Sequence, residues 1–341
     1  MERIGVLLPT INRPEFVQRC LNDLIRQKFT GWVCIADSSA NNETRKVVQT
    51  VIDQLNITYL SLPKKQFKNE ISALNAAANI AKTPYLIFLG DDDFLDIDNV
   101  VKLAEFLDNN QNFSMASGGQ IRFFVDTSNN VNIDRVILLH DFSSPSPMER
   151  FKTYMRTGQS VMYSLMRTEV MQSILKYHEV IILPAIGNEI LLCCLAVLSG
   201  RGMSFPFIIS YQQGEHSKTI FPRTNQPNKL PTFYEIMTRK SWPTQYAKFR
   251  QIVIDKMVQE GVHIKQASLI FDSEMVNRIV NLLHSQATLN YSFHQTDKAI
   301  WILAQREFLS TLSKQFVDTY VGFSFKNRLE VSINNEKSIA D

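Results

Sequence analysis

Over roughly its first 100 residues the chain alternates short apolar runs with amphipathic stretches, the rhythm of strand-helix units built on a largely parallel sheet. Gly5 to Leu8 reads as a first strand. Pro14 then stands where a helix can start, and Phe16, Cys20, Leu21, Leu24 and Ile25 recur at helical spacing through Gln27. Trp32 to Ala36 is a second strand, followed by a helix marked by Val47, Val48, Val51, Ile52 and Leu55, and Ile57 to Leu60 is a short third strand. Ile71 to Ala81 is rich in alanine, a strong helix former small enough to lie close against a sheet. Tyr85 to Leu89 is apolar on both faces, as a central strand is, and runs directly into Gly90 and three aspartates.

Beyond a helix at Ile97 to Leu107 the pattern changes. Phe113 to Val125, Val136 to Leu139 and Val161 to Met166 read as strands separated by longer loops; Asn188 to Leu198 reads as a helix and Phe205 to Tyr211 as a strand. From Pro231 the strand signal fades, leaving helical periodicity in Tyr246 to Val258, Met275 to Leu289 and Ala299 to Val317, before a polar tail from Asn334 to Asp341. Asn, Gln and Pro cluster from Asn225 to Pro231. The expected organisation is therefore an α/β domain over 1–225, with a first half to about residue 100 and a second half to 225, and a mainly helical region over 226–341.

Composition fits a folded globular chain: 341 residues, 45% hydrophobic and 20% charged. A formal net charge of +3 gives no whole-molecule field that points to nucleic acid. Charge is nonetheless uneven, because Ser217 to Lys256 carries eight Lys or Arg against two acids. Such a stretch is either a solvated surface or a patch facing an anionic ligand or a membrane. Cys20, Cys34, Cys193 and Cys194 have no metal or redox spacing and read as buried thiols in a reducing, cytoplasmic compartment. The most apolar stretch, Val180 to Leu198, is interrupted by Pro184, Gly187, Asn188 and Glu189, so no transmembrane helix is expected.

The chemistry concentrates in Leu89-Gly90-Asp91-Asp92-Asp93-Phe94, at the end of a buried strand, where ligands of open α/β sheets bind. Adjacent carboxylates repel one another, so an ordinary turn gains nothing from three of them. A hard divalent cation such as Mn2+ or Mg2+ reverses that balance and can neutralise a leaving diphosphate. The alternative is a solvated acidic loop. Successive side chains of an extended segment point to opposite faces, so all three converge only if the segment turns.

Four segments, in order and at suitable spacing, carry a resemblance. They are Ile4-Gly5-Val6-Leu7-Leu8-Pro9-Thr10 with Asn12-Arg13, Ile35-Ala36-Asp37-Ser38-Ser39, Ala73-Leu74-Asn75-Ala76-Ala77, and Phe88-Leu89-Gly90-Asp91-Asp92-Asp93. Together they resemble the family 2 glycosyltransferases, strongly to residue 100 and more weakly to about residue 215. The resemblance implies a glycosyltransferase-A fold, a mixed sheet flanked by helices, with a helical C-terminal extension. It also implies inverting transfer from a nucleoside-diphosphate sugar, with a UDP-sugar the expected donor, to a saccharide or glycoconjugate acceptor, in bacterial surface-polysaccharide synthesis.

By that resemblance Pro9, Thr10, Arg13 and Asp37 cradle the nucleotide and Asn75 joins them. A carboxylate at Asp37 suits a base N-H, and Arg13 suits phosphate oxygens in a bidentate clamp. Asp37 as a turn cap, Arg13 as a solvated side chain and Asn75 as a structural residue stay open. Asp92 is the first candidate metal ligand, Asp91 a contact to ribose or metal, and Asp93 a further ligand candidate. Gly90 departs from the family, which often has an acid there.

Gly187-Asn188-Glu189 resembles the family's acidic motif at the start of a helix, with Asn188 in place of the first acid, and makes Glu189 the general base. An apolar surround for Glu189 would suit that work, whereas the plain alternative is a carboxylate at the positive end of its helix. His216, after the last strand, is a candidate for metal or phosphate, against a merely exposed histidine. The helical remainder is left with three roles: shaping the acceptor site, docking peripherally at a membrane, or forming a homodimer.

Other enzymes fit less well. The segment Pro9-Thr10-Ile11-Asn12-Arg13 is neither the glycine-rich basic loop of a nucleotidyltransferase nor the G-x-G-x-x-G of a dinucleotide oxidoreductase. A non-catalytic nucleotide-sugar-binding protein of the same fold is the alternative that Asn188 and Gly90 keep open.

Overall fold

The apolar run at the N-terminus forms β1 (Ile4–Thr10), buried along its whole length, as a strand must be when helices cover both faces of its sheet. The computed structural model describes residues 1–62, 70–125, 131–179, 185–214 and 240–289. On either side of β1 lie the parallel strands β2 (Trp32–Asp37) and β4 (Tyr85–Phe88), and β3 (Asn56–Ser61) continues the sheet beyond β2. Connecting them are α1 (Pro14–Arg26), α2 (Glu43–Gln49) and α3 (Glu70–Asn79). Ile4, Val6 and Leu8 meet Val17, Cys20, Leu21 and Leu24 of α1 in one apolar cluster. Leu7 and Leu86 point to the other face by the two-residue strand period, where α3 packs on β1 and β2.

The chain continues through β5 (Phe94–Leu95), α4 (Ile97–Asn109), β6 (Phe113–Val125), β7 (Val131–Ile137), α5 (Pro147–Thr157), β8 (Leu165–Arg167), α6 (Thr168–Leu175), a short turn of 3-10 helix at Lys176–Glu179, α7 (Ala185–Leu198) and β9 (Arg201–Gln213). Among the described residues one sheet has the order β3-β2-β1-β4-β8-β6-β9-β5, with β7 on β6. Because β8 is antiparallel to both β4 and β6, and β9 is parallel to β6, the carboxyl ends of β1, β2, β4 and β9 all open on one edge. That shared edge holds the candidate site.

Two helices, α5 and α6, stand where the pattern suggested loops. Ser146 caps α5 by accepting a hydrogen bond from the Glu149 N-H, Pro147 opens the helix, and Gly158 ends it with a left-handed φ of 66°. The expected strand Val161 to Met166 shrinks to Leu165–Arg167, because Ser164 N-H closes a turn on the Val161 carbonyl at 3.0 Å. The strand expected at Val136 to Leu139 instead begins at Val131, with a register shift against Arg122 and Phe123 of β6.

The chain divides into two units, Met1–Asn228 and Lys229–Asp341. In the second, α8 (Trp242–Gln259) and α9 (Ile264–Leu289) are joined by a turn that includes Gly261 at φ 87°. Phe271 of α9 meets Tyr246 and Phe249 of α8 at ring separations of 6.1 and 5.4 Å. Arg250 also binds both oxygens of Asp272, each at 2.7 Å. The helix expected at Ala299 to Val317 and the polar tail lie outside the described residues.

All four cysteines are free and buried, and burial pushes the Cys34 and Cys193 thiols up to about 12. Among the described residues no helix is long and apolar enough to cross a membrane.

Leu86, fully buried in the central strand β4, is the sharpest test of this packing. Leu86→Ala should lower the unfolding free energy by about 2 to 5 kcal/mol in urea titration, whereas a loss under about 1 kcal/mol would mean that β4 is not closely packed.

Candidate active site

Each strand that ends on the common edge delivers a polar group. Thr10 and Asp37 are register partners at the ends of β1 and β2. Pro9 just before them lacks a donor, yet no ladder bond is lost. The Leu7 carbonyl faces β4 and accepts from Leu89 N-H at 3.0 Å. By strand alternation Pro9 faces the same side two residues later, after β4 has turned away.

Asn12 adopts a left-handed φ of 54°, a conformation Asn tolerates. The bend lets its N-H reach Ser39 Oγ at 2.6 Å, tying the loop after β1 to the loop after β2. Asp37 is buried and its two oxygens are divided: Oδ1 accepts from Ser39 N-H at 2.8 Å and Oδ2 from the Tyr59 hydroxyl at 2.6 Å. Burial first, and then its bond to Asp37, pushes the Tyr59 phenol up, so it remains a donor.

The acidic segment does turn: Asp93 N-H donates to the Gly90 carbonyl at 3.1 Å. As a result the triplet splits two against one. Asp91 and Asp92 both face Arg13, whose Nη1 donates to Asp91 Oδ1 at 2.6 Å and whose Nη2 donates to Asp92 Oδ2 at 2.9 Å. Thr10 hydroxyl donates to the remaining Asp91 oxygen at 2.8 Å. Burial alone would lower the Arg13 guanidinium, but Asp91 and then Asp92 outweigh it and hold it above its ordinary range.

Asp93 points the other way. It accepts the Tyr163 hydroxyl at 2.6 Å on one oxygen and the Gln213 N-H at 2.8 Å on the other, which pins the turn to the end of β9. A Cβ at Gly90 would lie 2.6 Å from that same Asp93 oxygen. The departure from an acid at position 90 therefore goes with an Asp93 side chain held against the end of β9, away from Arg13.

Beneath the turn lies α1. Cys20 thiol donates to the carbonyls of Asp91 and Asp93 at 3.0 and 3.2 Å, and Arg19 Nη2 donates to the Asp92 carbonyl at 2.8 Å. Burial, reinforced by the three aspartates against Arg19, raises the thiol well above its usual range, so it stays a donor. Phe16 lies under the Arg13 guanidinium at 4.0 Å, and Arg19 spans Phe16 and Phe94 at 5.0 and 4.8 Å.

The remaining expected residues are placed unevenly. Asn75 sits on α3 with a buried side-chain oxygen that has no hydrogen-bond partner among the described residues. Among the described residues Glu189, in the first turns of α7, is exposed, while Ile190 to Leu198 bury their side chains. One helical turn on, Cys193 meets Ser160 at 3.8 Å, and the segment from Ser160 leads to Tyr163 on Asp93. His216 lies outside the described residues. Among the described residues no three His, Cys, Asp or Glu side chains are gathered as a metal centre.

Comparison with known proteins decides what this edge belongs to. The model of glycosyl transferase family 2 matches residues 5–174, from β1 into α6. The chain belongs to glycosyltransferase family 2. Its curated relatives include hyaluronan synthase of Pasteurella multocida, 21% identical over 98% of this chain and 35% of the relative. Chondroitin synthase of Pasteurella multocida (strain Pm70) is 26% identical over 42% of this chain and 14% of the relative. This family 2 chain thus spans about a third or less of the length of those relatives. Among solved structures, S. aureus TarS 1-349 covers 92% of it at a TM-score of 0.58 and 13% identity, matching 81% of that chain. The complex of the same protein with UDP-GlcNAc matches equally, at 0.58 and 14% over 82% of that chain. These likenesses identify the glycosyltransferase-A fold expected from the motifs.

Sequence reasoning missed the supporting groups of this glycosyltransferase: Tyr59, Tyr163, Ser39, Arg19 and Cys20. Only Cys20 had a legible signal, being a thiol on the buried stripe of α1 seven residues after Arg13. Tyr163→Phe removes a bond to a carboxylate and should cost roughly 1.5 kcal/mol or more of stability in urea unfolding. A variant as stable as the parent would show that Asp93 does not depend on Tyr163.

Proposed function

We propose that this glycosyltransferase moves a sugar from a nucleoside diphosphate, with uridine the favoured base, to a hydroxyl of a saccharide or glycoconjugate, inverting the anomeric carbon. The observation that carries the reading is the convergence of Thr10, Arg13 and Asp37 with the paired carboxylates of Asp91 and Asp92 on one strand edge. Support for uridine comes from TarS, which shares the fold and was solved with UDP and with UDP-GlcNAc. Polysaccharide chain synthesis is supported by the hyaluronan and chondroitin synthase relatives.

In this reading Asp37 accepts from the base, with Tyr59 and Ser39 holding its carboxylate in place. Pro9, Thr10 and Asn75 line the nucleotide path, and Arg13 answers the diphosphate. The donor set fits a hard divalent cation, because Asp91 and Asp92 already turn one oxygen each toward a single positive group. Asp91 and Asp92 would hold Mn2+ or Mg2+, which supplies charge neutralisation for the departing diphosphate. Asp93 keeps the turn in register from behind.

Glu189 takes the proton of the acceptor hydroxyl as the oxygen attacks the anomeric carbon from the face opposite the nucleotide. Its exposure leaves it open to an incoming acceptor. Cleavage of the bond to the diphosphate then completes one displacement and one inversion. Peripheral membrane contact and a homodimer through the helical region remain compatible with this scheme and are not required by it.

Release of UDP from a panel of UDP-sugars and saccharide acceptors should fall by on the order of 10²- to 10⁴-fold in Glu189→Gln with nucleotide affinity retained. Near-zero release from both proteins, despite tight nucleotide binding, would instead mark a binding protein that has lost the chemistry. For the metal, the melting temperature with UDP should rise further when manganese is added, and Asp92→Ala should abolish that increment. An undiminished increment would remove Asp92 from the metal site.

A further inference from the structure

We infer that Arg13 is a resident cation that takes the place of a divalent metal between Asp91 and Asp92 and gives it up when a nucleoside diphosphate arrives. This rests on the metal-assisted reading above and says how metal and nucleotide binding are coupled. Its basis is which oxygens Arg13 occupies. The guanidinium does not grip one carboxylate with both nitrogens; it spreads them, Nη1 on Asp91 Oδ1 at 2.6 Å and Nη2 on Asp92 Oδ2 at 2.9 Å. The remaining Asp91 oxygen is taken by the Thr10 hydroxyl. A metal ion that bridges the two carboxylates through these facing oxygens competes with Arg13 for them.

The carboxylates need such a partner. Their side chains are only 8% and 12% exposed, so water screens them poorly and two adjacent bare charges would repel strongly. Arg13 can supply the charge and also give it up. It is the residue at the junction of the β1 loop and α1, in neither strand nor helix conformation (φ −136°, ψ 53°), and its side chain makes no cap bond that would hold it there. Its guanidinium rests on the Phe16 ring and remains 21% exposed, at the mouth rather than the floor of the site.

An incoming diphosphate offers that guanidinium a planar, bidentate acceptor and so removes its hold on Asp91 and Asp92. Metal alone meets a pair whose charge Arg13 has already halved; metal with diphosphate meets two freed carboxylates. Binding of each should consequently strengthen the other by the same factor, as linkage requires.

The experiment follows Mn2+ by the loss of its free-ion paramagnetic resonance signal, with and without UDP, in the parent, Arg13→Gln and Arg13→Lys. All three are first checked for matching melting temperatures and circular dichroism. The expected result is that the parent binds Mn2+ at least about 10-fold more tightly with UDP than without it, within the usual range of coupling between sites. Arg13→Gln should bind Mn2+ without UDP about 10-fold more tightly than the parent and show little further gain from UDP. Arg13→Lys, which keeps the charge but lacks the planar fork that the diphosphate grips, should bind Mn2+ without UDP as weakly as the parent and gain less from UDP, and it carries the test if the neutral variant does not fold. Equal Mn2+ affinity of parent and Arg13→Gln without UDP, or Mn2+ binding by Arg13→Lys without UDP clearly tighter than the parent's, overturns the stand-in role while leaving UDP-dependent metal binding intact. Absence of Mn2+ binding to any of the three under either condition overturns both this inference and the metal-assisted reading beneath it.

Discussion

Two adjacent carboxylates at the end of a buried apolar strand repel each other, and the site exists because one guanidinium lies between them. Arg13 bridges Asp91 and Asp92 where water screens little, and the neighbouring elements are arranged around that contact. β4 is short and central, so its end reaches the strand edge beside Thr10. Cys20 and Arg19 of α1 hold the backbone carbonyls of the turn from below. Tyr163 and Gln213 draw Asp93 to the opposite side, which prevents three carboxylates from crowding one point.

The same physics links architecture to chemistry. A sheet whose β1, β2, β4 and β9 end on one edge can bring Asp37, Arg13 and the paired carboxylates of Asp91 and Asp92 into one loop cluster, while the core stays apolar. The segment matched by the family 2 model, residues 5–174, contains Thr10, Arg13, Asp37, Asp91 and Asp92. Glu189 on α7 and the remainder of β9 lie after it. The chain spans 35% of hyaluronan synthase, so what surrounds this unit in longer relatives is a separate matter from how the unit itself works.

The first half of the fold was legible because burial on both faces leaves little freedom: runs such as Ile4 to Leu8 and Tyr85 to Leu89 can be little other than central strands. The second half was less so. Ser146, Pro147, Glu149 and Gly158 carry the stop and start signals of α5, yet its apolar positions are few and its buried Arg150 reads as surface from sequence alone. Likewise Val161 and Met162 are buried apolar residues in a turn, indistinguishable by pattern from a strand. In the site, Asp91 and Asp92 were legible from charge at a strand end. The division of labour that sends Asp93 backward was not, because it depends on Tyr163 and Gln213, 70 and 120 residues away. Nor does a sequence tell whether a helical glutamate is enclosed, and among the described residues Glu189 is exposed.

The most direct measurement is a crystal structure of the protein grown with UDP and Mn2+, using the anomalous signal of manganese to locate the ion. The account predicts one anomalous peak bridging Asp91, Asp92 and the diphosphate, with the Arg13 guanidinium withdrawn from both carboxylates and turned to phosphate oxygens. A diphosphate bound at this edge with Arg13 still spanning Asp91 and Asp92, or a manganese peak elsewhere, would contradict it.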